Sequence, residues 1–170
     1  MKKLFYCFLS LLFISSGNLF AQKPGDLVVG FETPMSLYKT KGLRTMEFTA
    51  DVGLNVTNWL AITGKFDTTA GLFDIGGVKS YELTESAGVR FAFKVLKTKY
   101  GTLSLNASGG STLGNPDWKY TYYSGGCYFN MGKGKIKPTL GAGLKYYDTR
   151  KKSNLDNYMK VYFSFALWVG

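Results

Sequence analysis

The feature that most constrains this chain is a strict alternation of apolar and polar side chains over short segments. In residues 46–56 one parity reads Met, Phe, Ala, Val, Leu and Val, and the other reads Glu, Thr, Asp, Gly and Asn. Successive side chains of a β-strand point to opposite faces. The segment is therefore predicted to be a strand with one continuous apolar face and one polar face.

The same alternation recurs along the chain and predicts eight strands. They cover residues 26–32, 44–56, 59–68, 81–96, 100–108, 118–131, 135–147 and 157–169. Short turns are predicted after the second, fourth and sixth strands, and longer polar loops after the first, third, fifth and seventh. The glycine-containing segment 69–80 is interpreted as one of the long loops.

The N-terminus has the pattern of an export signal. Lys2 and Lys3 precede an apolar run from Leu4 to Ile14, and Ala21 supplies a small residue at the expected cleavage point. A charged start, a short apolar run and a small-residue exit are typical of signal peptides. We therefore expect residues 1–21 to be a signal peptide and residues 22–170 to form a single exported domain.

The expected mature chain has no apolar run of the roughly 20 residues that a membrane-spanning helix needs. A chain that crosses a bilayer without helices must pair all its backbone groups in a closed barrel, because lipid offers no hydrogen-bond partners. The sequence therefore predicts an all-β fold, an eight-stranded antiparallel up-and-down transmembrane β-barrel.

The composition of the two faces indicates which one is inside. The apolar parity holds Phe31, Phe48, Phe91 and Phe165, whereas the polar parity is rich in small Thr, Ser, Gly and Ala. Small residues fit the narrow interior of an eight-stranded barrel. This favours a lipid-facing apolar side, although a soluble lipocalin-like barrel with an apolar interior remains the alternative.

Charges of both signs fall on the polar parity, and we expect them to pair in a closed lumen. The predicted network consists of Glu32, Glu47, Asp51, Lys65, Arg90, Lys94, Lys145 and Lys160. Opposite charges offset the cost of burial that a lone charge incurs. The specific hypothesis is that Arg90 bridges Glu47 or Asp51, and the alternative is a set of solvated charges in a water-filled core.

Aromatic residues near both ends of the predicted strands suggest interfacial girdles. Trp59 and Trp168 lie near the short turns, and Trp118, Tyr81 and Tyr38 lie near the long loops. Rings at both water–lipid boundaries are typical of membrane barrels. Ordinary core packing is the alternative, and Trp168 falls on the inward parity.

With its signal peptide, alternating strands, turn–loop rhythm and aromatic-rich final strand Tyr162–Val169, the chain resembles the small eight-stranded outer-membrane barrels of the OmpA/OmpX type. The resemblance covers residues 22–170. It implies a location in the outer membrane of a Gram-negative cell envelope, insertion by the outer-membrane machinery and contact with outer-membrane lipid. Since such barrels have many roles, the fold alone does not give the function.

Few catalytic chemistries remain open to this chain. It contains no histidine, and Cys127 is the single cysteine after residue 21. This removes Ser-His-Asp and Cys-His arrangements in their usual form and the commonest zinc ligands. We expect no catalytic residues, no metal and no cofactor. A nucleic-acid partner is not expected either, because the positive charge is spread over turns and lumen.

The remaining basic residues suggest contacts at the loop end of the barrel. Possible ligands of lipopolysaccharide phosphates are Lys39, Lys41, Arg44, Lys119, Arg150, Lys151 and Lys152. The sequence thus favours a non-enzymatic outer-membrane barrel with a structural, adhesive or surface-interaction role whose extracellular ligand is unknown. The alternatives are a narrow pore for small solutes and a soluble exported ligand-binding barrel.

Overall fold

The structure, a computed structural model, describes residues 23–37, 42–132, 134–149 and 157–170. The predicted signal peptide lies outside these residues, as do Tyr38, Lys39, Lys41 and residues 150–152. Within the described ranges no helix is both long and apolar enough to cross a membrane.

Eight antiparallel strands form a closed barrel in which each strand pairs with its neighbours in the sequence. The strands are β1 Leu27–Ser36, β2 Leu43–Asn55, β3 Leu60–Ile75, β4 Val78–Lys97, β5 Gly101–Thr112, β6 Thr121–Met131, β7 Ile136–Asp148 and β8 Tyr158–Val169. The first and last strands close the barrel through pairs such as Phe31 with Leu167. The prediction of an all-β, eight-stranded up-and-down barrel is confirmed.

The two parities of each strand lie on opposite sides of the barrel wall. The outward side carries large exposed apolar side chains on all eight strands, for example Phe48 on β2 and Phe165 on β8, which are 55% and 52% exposed. The inward side carries buried charged and hydroxyl groups, including Asp51 and Ser164. Phe73 is an exception to this division, because it is a large apolar side chain that points inward, at the loop end.

The prediction of a long loop over residues 69–80 is wrong. β3 continues to Ile75, β4 begins at Val78, and the two are joined by the two-residue turn Gly76–Gly77. Both glycines have positive φ, +60° and +81°, which suits a tight hairpin whose twist matches that of the strands. The other glycine of the segment, Gly71, lies within β3, where a Cβ atom would come within 3.0 Å of the rings of Phe73 and Trp118.

Threonine side chains define two of the short turns at the opposite end. The hydroxyl of Thr57 accepts hydrogen bonds from the backbone N–H groups of Trp59 and Leu60, at 3.2 and 3.0 Å. The hydroxyl of Thr98 does the same for Tyr100 and Gly101, at 3.2 and 3.1 Å. A hydroxyl that accepts from following backbone groups favours a turn over a continuing strand.

Inward glycines make room for inward tyrosines. A Cβ atom on Gly141 would overlap the ring of Tyr128, and one on Gly126 would lie 2.7 Å from the hydroxyl of Tyr162. The wall and the rings are therefore complementary in shape. Cys127, between these inward positions on β6, is exposed on the outward face.

The prediction that the sixth strand begins at Trp118 is wrong: β6 begins at Thr121, and Trp118 lies in the preceding connection. Trp118 and Trp168 do not contribute to girdles on the outer surface, since they are only 1% and 8% exposed and belong to two buried clusters. Trp59 and Tyr81 do lie on the surface, 55% and 70% exposed.

Candidate functional site: the lumen and the outer hairpin

The lumen holds the charged residues of the predicted network at positions that share the inward parity. Those that are buried are Glu32, Glu47, Asp51, Lys65, Arg90, Lys145 and Lys160, together with Asp67. Lys94 is only half-buried, near the short-turn end. The buried carboxylates and the buried cations are equal in number, so their charges balance.

Glu47 is the centre of the cluster nearest the loop end. Its Oε2 accepts a hydrogen bond from the Nζ atom of Lys145 at 2.6 Å. Its Oε1 accepts from Lys160 and from the hydroxyl of Tyr147. Lys160 also donates to Thr45 Oγ1 at 2.6 Å. Two cations and a hydroxyl thus compensate one buried carboxylate, as burial of a charge requires.

Asp67 links this cluster to the next one. It pairs with Lys65, which precedes it by two residues on β3, and accepts from the hydroxyl of Thr49 at 2.5 Å. The Nζ atom of Lys145 lies 3.9 Å from its Oδ2. Lys145 also lies 3.9 Å from the centre of the Tyr122 ring, a cation–π distance.

Arg90 is the centre of the second cluster. It forms an ion pair with Glu32, and its Nη1 lies 3.4 Å from Asp51 Oδ2. Of the two partners proposed for Arg90, the structure therefore supports Asp51, whereas Glu47 pairs with the two lysines instead. Its guanidinium carbon also lies 5.3 Å from the centre of the Trp168 ring, which covers the short-turn side of the cluster.

Tyrosine and serine hydroxyls complete the coordination of Glu32. Tyr128 and Ser164 donate to its Oε1 at 2.8 and 2.6 Å, and the hydroxyls of Tyr128 and Tyr162 are 2.8 Å apart. Sequence reasoning did not identify these tyrosines as partners of the carboxylates. Their inward parity, opposite inward glycines, is the signal that could have found them.

An aromatic cluster closes the loop end of the lumen. Tyr147 and Tyr158 stack with ring centres 4.6 Å apart, and Trp118 packs 4.6 Å from Tyr120 and edge-on to Phe73 at 5.4 Å. The hydroxyl of Tyr120 donates to Thr69 Oγ1 at 3.0 Å. Burial raises the pKa of Tyr120 to about 12, so this hydroxyl keeps its proton at neutral pH.

The hairpin of β3 and β4 extends past the end of β5. β4 pairs with β5 only from Ser86 onward, so residues 78–85 pair with β3 alone, over about 25 Å at the usual rise per residue. The carbonyl of Glu85 accepts from the Leu113 N–H at 2.8 Å, and the Glu82 side chain accepts from the Trp118 N–H at 3.0 Å. These two contacts fix the base of the hairpin to the β5–β6 connection.

The outer part of that hairpin has an edge that no described strand covers. Hydrogen-bonding groups alternate along an antiparallel strand, and the Glu85 carbonyl faces away from β3. The backbone groups of Lys79, Tyr81 and Leu83 therefore face the same open side. Tyr81 and Leu83 are 70% and 57% exposed.

The residues expected to hold lipopolysaccharide phosphates are mostly outside the described ranges. Arg44 is exposed on the outward face of β2, opposite Leu72. Lys119 lies between β5 and β6 and donates to Asn115 Oδ1.

Among the described residues no three His, Cys, Asp or Glu side chains are grouped so as to hold a metal ion. Comparison with protein-family models, curated proteins and solved structures found no match to this chain.

Proposed function

We propose that this chain is an integral outer-membrane β-barrel of the small OmpA/OmpX type, without enzymatic activity, that interacts with partners at the cell surface through its outer hairpin and loops. The observation that carries the proposal is the reversed polarity of the barrel. Its outward face is apolar and its interior contains ion pairs.

The outward face suits hydrocarbon better than water. Soluble monomers rarely expose a contiguous apolar patch beyond a few hundred Å², whereas here large apolar side chains are exposed on every strand. Trp59, stacked on Phe93 with ring centres 6.1 Å apart, and Tyr100 lie near the short turns. Rings at this position are typical of a water–lipid boundary.

The interior does not suit the soluble ligand-binding alternative. Drug-sized ligands occupy mostly apolar pockets of about 300–1,000 Å³. A cavity of about 580 Å³ lies among outward side chains such as Phe31, Phe66 and Phe165. Inside the lumen, the cavity at the short-turn end measures only about 50 Å³.

Membrane fractionation combined with gel mobility tests the location. A folded outer-membrane barrel is extracted only with detergent, and its band shifts when the sample is boiled before electrophoresis. Recovery of the chain in the soluble fraction without detergent would contradict the proposal and support the soluble barrel.

Planar-bilayer recordings separate a closed barrel from the narrow pore. The two charged clusters and the aromatic cluster fill successive levels of the lumen, so we expect no steady conductance from the pure protein. A steady current proportional to the amount of protein would favour the pore.

Contacts with lipopolysaccharide phosphates are part of the proposal. A cation near an anionic membrane surface contributes about 1 kcal/mol, and Arg150, Lys151 and Lys152 are adjacent in the sequence. Replacement of these three residues by Ser should reduce co-purification of lipopolysaccharide. Unchanged co-purification would remove this part of the proposal.

A further inference from the structure

The short-turn end of the lumen contains a polar chamber, separated from the charged clusters by Trp168. Its volume is about 50 Å³, enough for about three to five water-sized groups at about 10–15 Å³ each. Its polar lining includes Asn55, Lys94, Thr102, Asn106 and Lys137. No carboxylate is among the lining residues.

The lysines of this chamber differ from those of the clusters above, because neither is in an ion pair with a described carboxylate side chain. Lys94 donates to Asn55 Oδ1 at 2.9 Å, and Lys137 donates to a backbone oxygen of Gly170, the last residue of the sequence, at 2.7 Å. The Asp26 carboxylate is near enough to act on Lys94 electrostatically, but it accepts from the Lys23 N–H at 2.5 Å. An ammonium group has three N–H donors, so each lysine retains two.

Lys97 adds a third positive charge at this end. The irregularity between Lys94 and Leu96 shifts the parity of β4, and Lys97 is paired with Thr102, which faces the chamber. A bulge of this kind redirects the side chains that follow it. The charge of Lys97 consequently acts on both Lys94 and Lys137.

Asn55 provides an independent indication of a ligand. The residue is 1% exposed, and its Nδ2 has no hydrogen-bond partner among the described residues. Its orientation is fixed chemically, because Lys94 can only donate and the amide oxygen must face it. A buried donor without a partner costs about 1–3 kcal/mol. An acceptor in the chamber would remove that cost.

Asn106 indicates that the ligand must also donate a hydrogen bond. Its buried Oδ1 also lacks a partner among the residues that the structure describes. A ligand that accepts from Asn55, Lys94 and Lys137 and donates one hydrogen bond would satisfy both amides. Inorganic phosphate keeps at least one hydroxyl at neutral pH, and the monoanion of a phosphate monoester also carries one, whereas sulfate has no hydrogen to donate.

We propose that this chamber is a binding site for a phosphate group, held by Asn55, Lys94 and Lys137, with Asn106 accepting from its hydroxyl. The site goes beyond the surface role proposed above and does not depend on it. The phosphate comes either from free inorganic phosphate or from a lipid that presents a phosphate monoester at this end of the barrel.

Titration calorimetry of the full chain, folded in a neutral detergent without phosphate, tests the site with inorganic phosphate and with sulfate at equal ionic strength. We expect saturable phosphate binding that is tighter than sulfate binding. Loss of a hydrogen bond to a charged group weakens binding by about tenfold or more. Lys94→Met should show at least this loss.

Asn55→Asp is the decisive variant. It preserves the shape of the side chain and gives Lys94 a carboxylate partner, so the barrel should still fold, but its charge repels an anion. Phosphate binding should be abolished in this variant and unchanged in Lys99→Met, a control on the exposed β4–β5 turn. Boiled and unboiled gel samples verify that each variant is folded.

Three results would overturn the site: no saturable phosphate binding, equal effects of phosphate and sulfate, or wild-type binding by Asn55→Asp. A second titration, with short-chain phosphatidic acid, identifies the source. If phosphatidic acid binds more tightly than inorganic phosphate, and this binding depends on Asn55, the source is a lipid headgroup. Binding no tighter than that of inorganic phosphate supports the free ion.

Discussion

The Nζ atom of Lys145 on β7 lies 2.6 Å from Oε2 of Glu47 on β2, although 98 residues separate them in the chain. β2 and β7 are not neighbours in the barrel, so the pair spans the lumen. Lys160, from β8, reaches the same carboxylate. Together these contacts connect β2 to β7 and β8, with which it shares no backbone hydrogen bonds.

Loss of the Glu47 charge should destabilise the barrel strongly. In Glu47→Gln the cations of Lys145 and Lys160 remain buried without their main partner, and removal of one member of a buried ion pair costs about 3–5 kcal/mol. The measurement is urea-induced unfolding from lipid vesicles. Glu85→Gln, the same change on an exposed side chain, is the control and should lie within about 0.5 kcal/mol of the wild type.

Equal stabilities of Glu47→Gln and wild type would contradict this view. That result would mean that water solvates the lumen charges, which is the alternative raised by the sequence.

A methyl group on Gly141 should disturb the packing of the lumen. Its Cβ atom would overlap the ring of Tyr128, which also donates to Glu32. Overpacking of this kind costs about 1–3 kcal/mol. Gly125→Ala is the matched control, because the nearest atom to its Cβ would be 3.8 Å away. Unfolding midpoints should therefore fall for Gly141→Ala only, and a similar fall for both variants would point to a backbone effect.

The period-two pattern predicts the number of strands, most of their residues and the faces of their side chains. It is wrong over residues 69–80, because the glycines there are typical of a loop as well as of a strand. Gly71 instead lies in β3 beside the Trp118 ring, and the turn needs only Gly76 and Gly77. Glycine has two physical uses, freedom at positive φ and room for a neighbouring ring, and local sequence does not distinguish them.

The pairing inside the lumen could be predicted only in part. Parity puts Arg90 inside, but its choice of Glu32 and Asp51 over Glu47 depends on the stagger of strands around the barrel. That stagger follows from the register of all eight pairs. The buried position of Trp118 at the loop end of the lumen likewise depends on the β3–β4 hairpin, because Trp118 contacts Phe73 and Glu82 of that hairpin.

A charge on the outward face should lower the free energy of unfolding only in the closed part of the barrel that faces lipid, not on the outer hairpin. Phe91 is outward on β4, at the centre of the part that pairs with β3 and β5, and is 41% exposed. In a bilayer Phe91→Arg should lower the free energy of unfolding by about 2–4 kcal/mol. Tyr81→Arg on the outer hairpin should lower it by about 0–1 kcal/mol. Unfolding from vesicles measures both, and no loss at Phe91 would argue for a water-facing surface.

The open edge of β4 should bind extended polypeptide, since an unpaired strand edge is a template for another chain. Tyr81→Pro removes one N–H from that edge. It leaves the pairing with β3 intact, because the Tyr81 backbone groups face away from β3, and proline is tolerated on such an edge. Tyr81→Ala, which keeps the N–H, separates the role of the backbone from that of the ring.

The probe for this edge is a reduced and alkylated, permanently unfolded test protein, added to the folded barrel in detergent micelles. Binding to the wild type and to Tyr81→Ala, with about tenfold weaker binding to Tyr81→Pro, is expected if edge hydrogen bonds supply the affinity. Equal loss in both variants would assign the contact to the aromatic ring. Equal binding by all three proteins would exclude this edge as the interacting surface.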